Sequence, residues 1–101
     1  MLVKTYSKNQ KTCKVSFLFP AEAAAGAKRV TLVGDFNNWE RAATSMKAQP
    51  DGSWTASLSL EAGREYNFRY LIDDSRWEND WNADKYLPSP YGDTDNSVVI
   101  V

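Results

Sequence analysis

The sequence predicts an all-β fold, an antiparallel immunoglobulin-like sandwich of about seven strands, formed as a single domain over residues 1–101. Three observations lead there. Apolar residues recur with a period of two rather than 3.6 through most of the chain. Gly, Pro, Asp and Ser punctuate these runs at short intervals, as turns require. The only helix-friendly piece, Ala21 to Ala25, is too short to stand alone.

The first clear run is 13–19, where Cys13, Val15, Phe17 and Phe19 alternate with Lys14, Ser16 and Leu18. Ala21 to Ala25 is the one helix-friendly piece, but Pro20 and Gly26 cut it to a turn at most. In 29–36, Val30, Leu32, Gly34 and Phe36 share a phase. Pro50-Asp51-Gly52 reads as a hairpin turn leading into 53–60, where Trp54, Ala56, Leu58 and Leu60 alternate with Ser53, Thr55, Ser57 and Ser59. Glu61-Ala62-Gly63 reverses the chain again. In 64–73, Tyr66, Phe68, Tyr70 and Ile72 oppose Asn67, Arg69, Leu71 and Asp73, and Asp73-Asp74-Ser75 then turns toward the short Arg76-Trp77. Residues 97–101, Ser-Val-Val-Ile-Val, make a closing β-branched strand. Each run is expected to turn one face to a core and the other to solvent.

One segment breaks the rhythm. Glu78 to Asn96 shows no sustained alternation and carries Trp81, Tyr86 and Tyr91. Loops longer than about 12–15 residues are uncommon in compact domains and are usually functional or disordered. Three large aromatics argue against disorder.

Composition removes several function classes. Twelve basic residues against thirteen acidic ones leave a net charge of −1, and no basic run exists, so nucleic acid is not an expected partner. The chain has no histidine, hence neither the usual general base nor the commonest metal ligand. Cys13 is the only cysteine, which excludes an intrachain disulfide and a cysteine-built zinc site. No apolar stretch approaches the roughly 20 residues of a membrane span, and residues 1–12 lack the apolar core of a signal peptide. A cytoplasmic monomer without cofactor or metal is therefore expected.

Sorting the aromatics by phase separates two groups. Phe17, Phe19, Phe36, Trp54, Tyr66, Phe68 and Tyr70 fall on core-facing positions. Trp39, Trp77, Trp81, Tyr86 and Tyr91 fall at strand ends or in loops, and exposed aromatics gathered together mark a recognition surface. A pyranose suits such a surface, because its C–H face stacks on an aromatic ring while planar Asn and Arg groups bind neighbouring hydroxyls. The candidates for that second role are Asn37, Asn38, Arg69, Asn79, Asn82 and Asn96. Taken singly, Asn37-Asn38 reads first as an ordinary turn and Arg69 first as a solvated charge.

At this point a resemblance enters. Leu32-Val33-Gly34-Asp35-Phe36-Asn37-Asn38-Trp39 resembles the Gly-x-Phe-Asn-x-Trp signature of glycogen-binding carbohydrate modules. Such modules occur in the β subunits of AMP-activated protein kinase and as N-terminal early-set domains of isoamylases and branching enzymes. Phe68-Arg69-Tyr70-Leu71-Ile72-Asp73 followed by Trp77, then Tyr91-Gly92 and Asn96-Ser97-Val98-Val99, are similar to the family's later blocks. The resemblance implies non-catalytic binding of α-1,4-linked glucan. It implies Trp39 and Trp77 as stacking platforms, Arg69 and Asn96 as hydroxyl-binding groups, and Tyr91 as a large group reaching toward the sugar. A glycogen-metabolising enzyme is a possible partner it also implies. The sequence departs from the pattern at Asp74, where Gly is usual, at Trp81, where Pro is favoured, and with one extra residue in Asp93-Thr94-Asp95.

Three other readings stand beside this one. The domain could keep the early-set fold as a protein–protein scaffold that has lost the sugar. Catalysis by a carboxylate pair would need a desolvated acid, whereas the acidic residues here are spaced like turns. Asp93-Thr94-Asp95-Asn96 is oxygen-rich but lacks the spacing of a calcium loop, so a structural turn is expected there.

Overall fold

The computed structural model describes residues 1–89 and 95–101. Two antiparallel sheets face one another. The first holds β1 (Leu2–Tyr6), β2 (Thr12–Phe19), β5 (Trp54–Glu61) and β4 (Lys47–Ala48), in that spatial order. The second holds β3 (Val30–Gly34), β6 (Glu65–Ile72), β9 (Asp95–Ile100) and β8 (Lys85–Pro88), with β7 (Arg76–Glu78) paired to β6. Set aside β7 and β8, and the orders β1-β2-β5-β4 and β3-β6-β9 reproduce the ABED and CFG sheets of a seven-stranded immunoglobulin-type sandwich. Both additional strands lie in the connection from β6 to β9.

Alternation builds the core. Along β2, Cys13, Val15, Phe17 and Phe19 are buried while the residues between them are not. They meet Val30 and Leu32 of β3, Phe68, Tyr70 and Ile72 of β6, and Val99 of β9. Phe17 and Phe68 pack edge to face with centroids 5.1 Å apart, as do Phe68 and Tyr70 at 5.8 Å. Full burial of such side chains contributes about 1.5–3 kcal/mol each. Trp54, Tyr66 and Phe36 sit at the margin of this cluster, partly buried and packed against it.

The structure departs from the expected strand pattern in three ways. First, Leu2–Tyr6, Lys47–Ala48 and Lys85–Pro88 are strands that the alternation did not mark. All three are edge strands with largely exposed side chains, so no buried face imposed alternation on them. Second, β3 stops at Gly34; Asp35–Asn37 form a 3₁₀ turn that still delivers Phe36 to Phe17 at 5.6 Å. Third, β3 has no solvent face, because all five of its residues are buried. Its free edge is closed by the following segment, with Leu32 donating to the Thr44 carbonyl and Met46 to that of Val30, both at 2.8 Å.

Candidate functional site

Pairing registers decide which side chains share the outer face of the second sheet. Val33 stands opposite Arg69, Thr31 opposite Leu71, and Leu71 opposite Trp77. Asn67 stands opposite Val98, and Asn96 opposite Leu87. Since side chains alternate along a strand, Asn67, Arg69, Trp77, Leu87 and Asn96 all project to the side away from the core. The turn after β3 adds Asp35, Asn38, Trp39 and Arg41 above them. Together they line a groove of about 820 Å³, with Pro88 and Ser89 at its rim. Four of the five residues expected at the site, Trp39, Arg69, Trp77 and Asn96, are thus brought together; Tyr91 lies outside the described residues.

The turn that carries Trp39 is held by the residues of the Gly-x-Phe-Asn-x-Trp string. A Cβ on Gly34 would lie 2.5 Å from the Asn67 carbonyl oxygen and 2.8 Å from Phe68 Cβ, so β3 approaches β6 more closely than any other residue permits. Asn37 is not a hydroxyl-binding group. Its Oδ1 accepts from the Gly34 N–H at 3.0 Å, and its Nδ2 donates to the Leu32 carbonyl at 2.9 Å and Thr44 Oγ1 at 3.1 Å. Asn38 and Trp39 then take left-handed conformations (φ 57° and 58°), unusual for a bulky residue and costing on the order of 1–3 kcal/mol each. The Trp39 N–H donates to the Gly34 carbonyl at 2.9 Å, which closes the turn.

Asp35 fixes the indole. Its Oδ1 accepts from Trp39 Nε1 at 2.9 Å, and its Oδ2 accepts from the backbone and side-chain nitrogens of Asn67 at 2.7 and 3.0 Å. One carboxylate therefore ties Trp39 to the strand that carries Arg69. Arg69 in turn donates from Nε to Asn96 Oδ1 at 2.7 Å, linking β6 to β9 across the groove floor. With its oxygen holding Arg69, what Asn96 can offer a ligand is its amide nitrogen. Arg41 lies with its guanidinium 5.5 Å from the centroid of Trp77, within cation–π range, and brings further donors to the same space.

The remaining candidates are elsewhere. Asn79 donates to the Asp95 carbonyl at 2.8 Å and accepts from Ser97 Oγ at 2.8 Å, which makes it a brace for β9. Trp81, Asn82 and Tyr86 are exposed but do not line the groove. Of the oxygen-rich run, Asp93 and Thr94 lie outside the described residues, and among the described residues no cluster of acidic or cysteine side chains could hold a metal ion. The alternation did contain a signal for Asn67, which shares the outward phase of Arg69. Asp35, Arg41 and Leu87 carried none, because turn geometry and an edge strand place them.

A sandwich that mounts two indoles beside planar hydrogen-bonding groups on one outer face has the make-up of a carbohydrate-binding module. The family model of carbohydrate-binding module 48, the isoamylase N-terminal domain, matches residues 5–92. The chain belongs to that family, and carbohydrate is its ligand class. Comparison with curated proteins found no match. No helix among the described residues is long and apolar enough to cross a membrane.

Proposed function

We propose that this domain binds α-1,4-linked glucan, of glycogen or starch type, in the groove between Trp39 and Trp77, and does so without catalysis. The observation that supports this best is the convergence of both indoles with the Arg69–Asn96 pair in one groove of about 820 Å³. Indole faces match the C–H face of glucose, and the guanidinium and amide edges match paired hydroxyls. The turn's left-handed residues and the Asp35 clamp hold Trp39 before any ligand arrives, which lowers the entropy cost of binding. For catalysis, glycoside hydrolysis calls for two carboxyl groups. Among the described lining residues Asp35 is the single carboxylate, and both of its oxygens already accept hydrogen bonds.

Titration with maltoheptaose or β-cyclodextrin, followed by tryptophan fluorescence, tests the reading. A saturable change is expected in the micromolar to millimolar range, and its absence at millimolar sugar would overturn the proposal. Trp39→Ala and Trp77→Ala are each expected to abolish detectable binding with thermal unfolding still cooperative. A variant that unfolds would instead identify that indole as part of the fold.

A further inference from the structure

Trp81 is 57% exposed and has no part in the core or in the groove, yet the residues on either side of it are tied into the fold. The turn carrying it is anchored at both ends. At one end Asp80 is buried; its Oδ1 accepts from the Asn82 N–H at 2.7 Å, its Oδ2 accepts from the Tyr70 hydroxyl at 2.6 Å, and its own N–H donates to Ser97 Oγ at 2.8 Å. At the other end Asp84 Oδ2 accepts from the Ile100 N–H and pairs with Lys4 Nζ, both at 2.7 Å, and the Asp84 N–H donates to the Val98 carbonyl. The Tyr86 hydroxyl donates to the Asp80 carbonyl and accepts from the Ala83 N–H, so the Tyr86 ring, 42% exposed, stands beside the turn. None of these bonds involves the indole of Trp81. The fold builds a rigid mount and leaves an indole, a phenol ring and the exposed amide of Asn82 on it. An indole and a planar amide are groups that the groove also presents.

We propose that Trp81, with Tyr86 and Asn82, forms a second, separate glucan-contact site in which one pyranose stacks on the indole; the ligand class rests on the α-glucan reading above. A mount already ordered in the free protein spares the ligand that entropy cost. The location favours a polymer. Tyr86 and Leu87 are neighbours on β8 and point to opposite sides, so Leu87 reaches the groove while Tyr86 faces the other side of the sheet edge. A long glucan presents rings to both sites at once, and the second contact then acts through effective concentration.

The test uses the indole N–H resonances of the four tryptophans, assigned by single substitution, during titration with maltoheptaose. A saturable shift of Trp81 is expected, persisting when Trp39→Ala and Trp77→Ala disable the groove. In parallel, Trp81→Ala is expected to lower retention on glycogen by about tenfold through lost avidity. Movement of Trp39 and Trp77 with a static Trp81, or glycogen retention equal to wild type in Trp81→Ala, overturns the inference and leaves the groove reading standing. Movement of Trp81 alone supports this site and overturns the groove. No movement in any of them overturns both.

Discussion

The two sheets have the same inner faces and opposite outer ones. On the first sheet the outward cross-strand pairs are Lys14–Ser59, Ser16–Ser57 and Leu18–Thr55, and Ser16 and Ser57 join hydroxyls at 3.0 Å. The serine and threonine hydroxyls among them are groups that water can solvate. On the second sheet the outward set includes Thr31, Val33, Asn67, Arg69, Leu71, Trp77, Leu87, Asn96 and Val98, with Thr31, Val33, Leu71 and Val98 all buried to within 1%. Large side chains there require cover, and the turn after β3 supplies part of it through Asp35, Asn38, Trp39 and Arg41. The gap left between cover and sheet is the groove. A recognition surface on this sandwich is thus an outer face built like an inner one and then incompletely closed.

Four changes break or sharpen that contrast. Gly34→Ala strikes hardest, since the new methyl meets the Asn67 carbonyl and Phe68. We expect about 1–3 kcal/mol of destabilisation by chemical denaturation, together with weakened sugar binding, because the turn carrying Trp39 shifts with it. Asp35→Ala should leave the sandwich folded but release the Trp39 indole. An affinity loss of about tenfold, equivalent to about 1.4 kcal/mol, is expected by calorimetric titration, with faster solvent exchange of the Trp39 indole proton. Unchanged affinity would mean that the clamp has no bearing on the groove. Ser16→Ala on the opposite sheet removes a solvated hydroxyl pair. It should alter stability by less than about 0.5 kcal/mol and sugar binding not at all; a binding loss there would place the ligand on the wrong face.

The smallest effect concerns acid. Hydrogen bonds from the Ser53 side chain and backbone hold the Asp51 carboxyl below its usual range in the turn before β5. A lowered folded-state value means the carboxylate stabilises the fold above the ordinary carboxylate range, and that contribution drains away as pH falls from there through the lowered value. Ser53→Ala should therefore flatten the acid side of a stability–pH curve slightly, leaving groove affinity at neutral pH untouched. Tyr70 is shifted the other way, raised far above the phenol range by burial and by the neighbouring Asp80, and stays neutral throughout.

Legibility of the site followed burial and phase. Trp39, Arg69, Trp77 and Asn96 could be read from their strand-end positions, outward phase and resemblance to a family signature, and all four line the groove. An amide serves as sugar ligand or turn residue, but taken singly Asn37 reads as a turn residue first, and its three bonds within the turn agree. Arg41 and Leu87 were silent because their places depend on a left-handed turn and on an edge strand that β9 alone holds in register.

By itself the sequence determined the sandwich. A period of two sorts each long strand into inner and outer residues wherever one face is buried, and turn residues separate the strands regardless of what lies beyond them. Only the tertiary structure decided which outer face became a groove, what Asp35 holds, and that Trp81 stands apart on a braced turn. Those outcomes depend on groups distant in the chain meeting in space, such as Asp35 with Asn67 and Asp80 with Tyr70 and Ser97, and local periodicity carries no trace of such meetings.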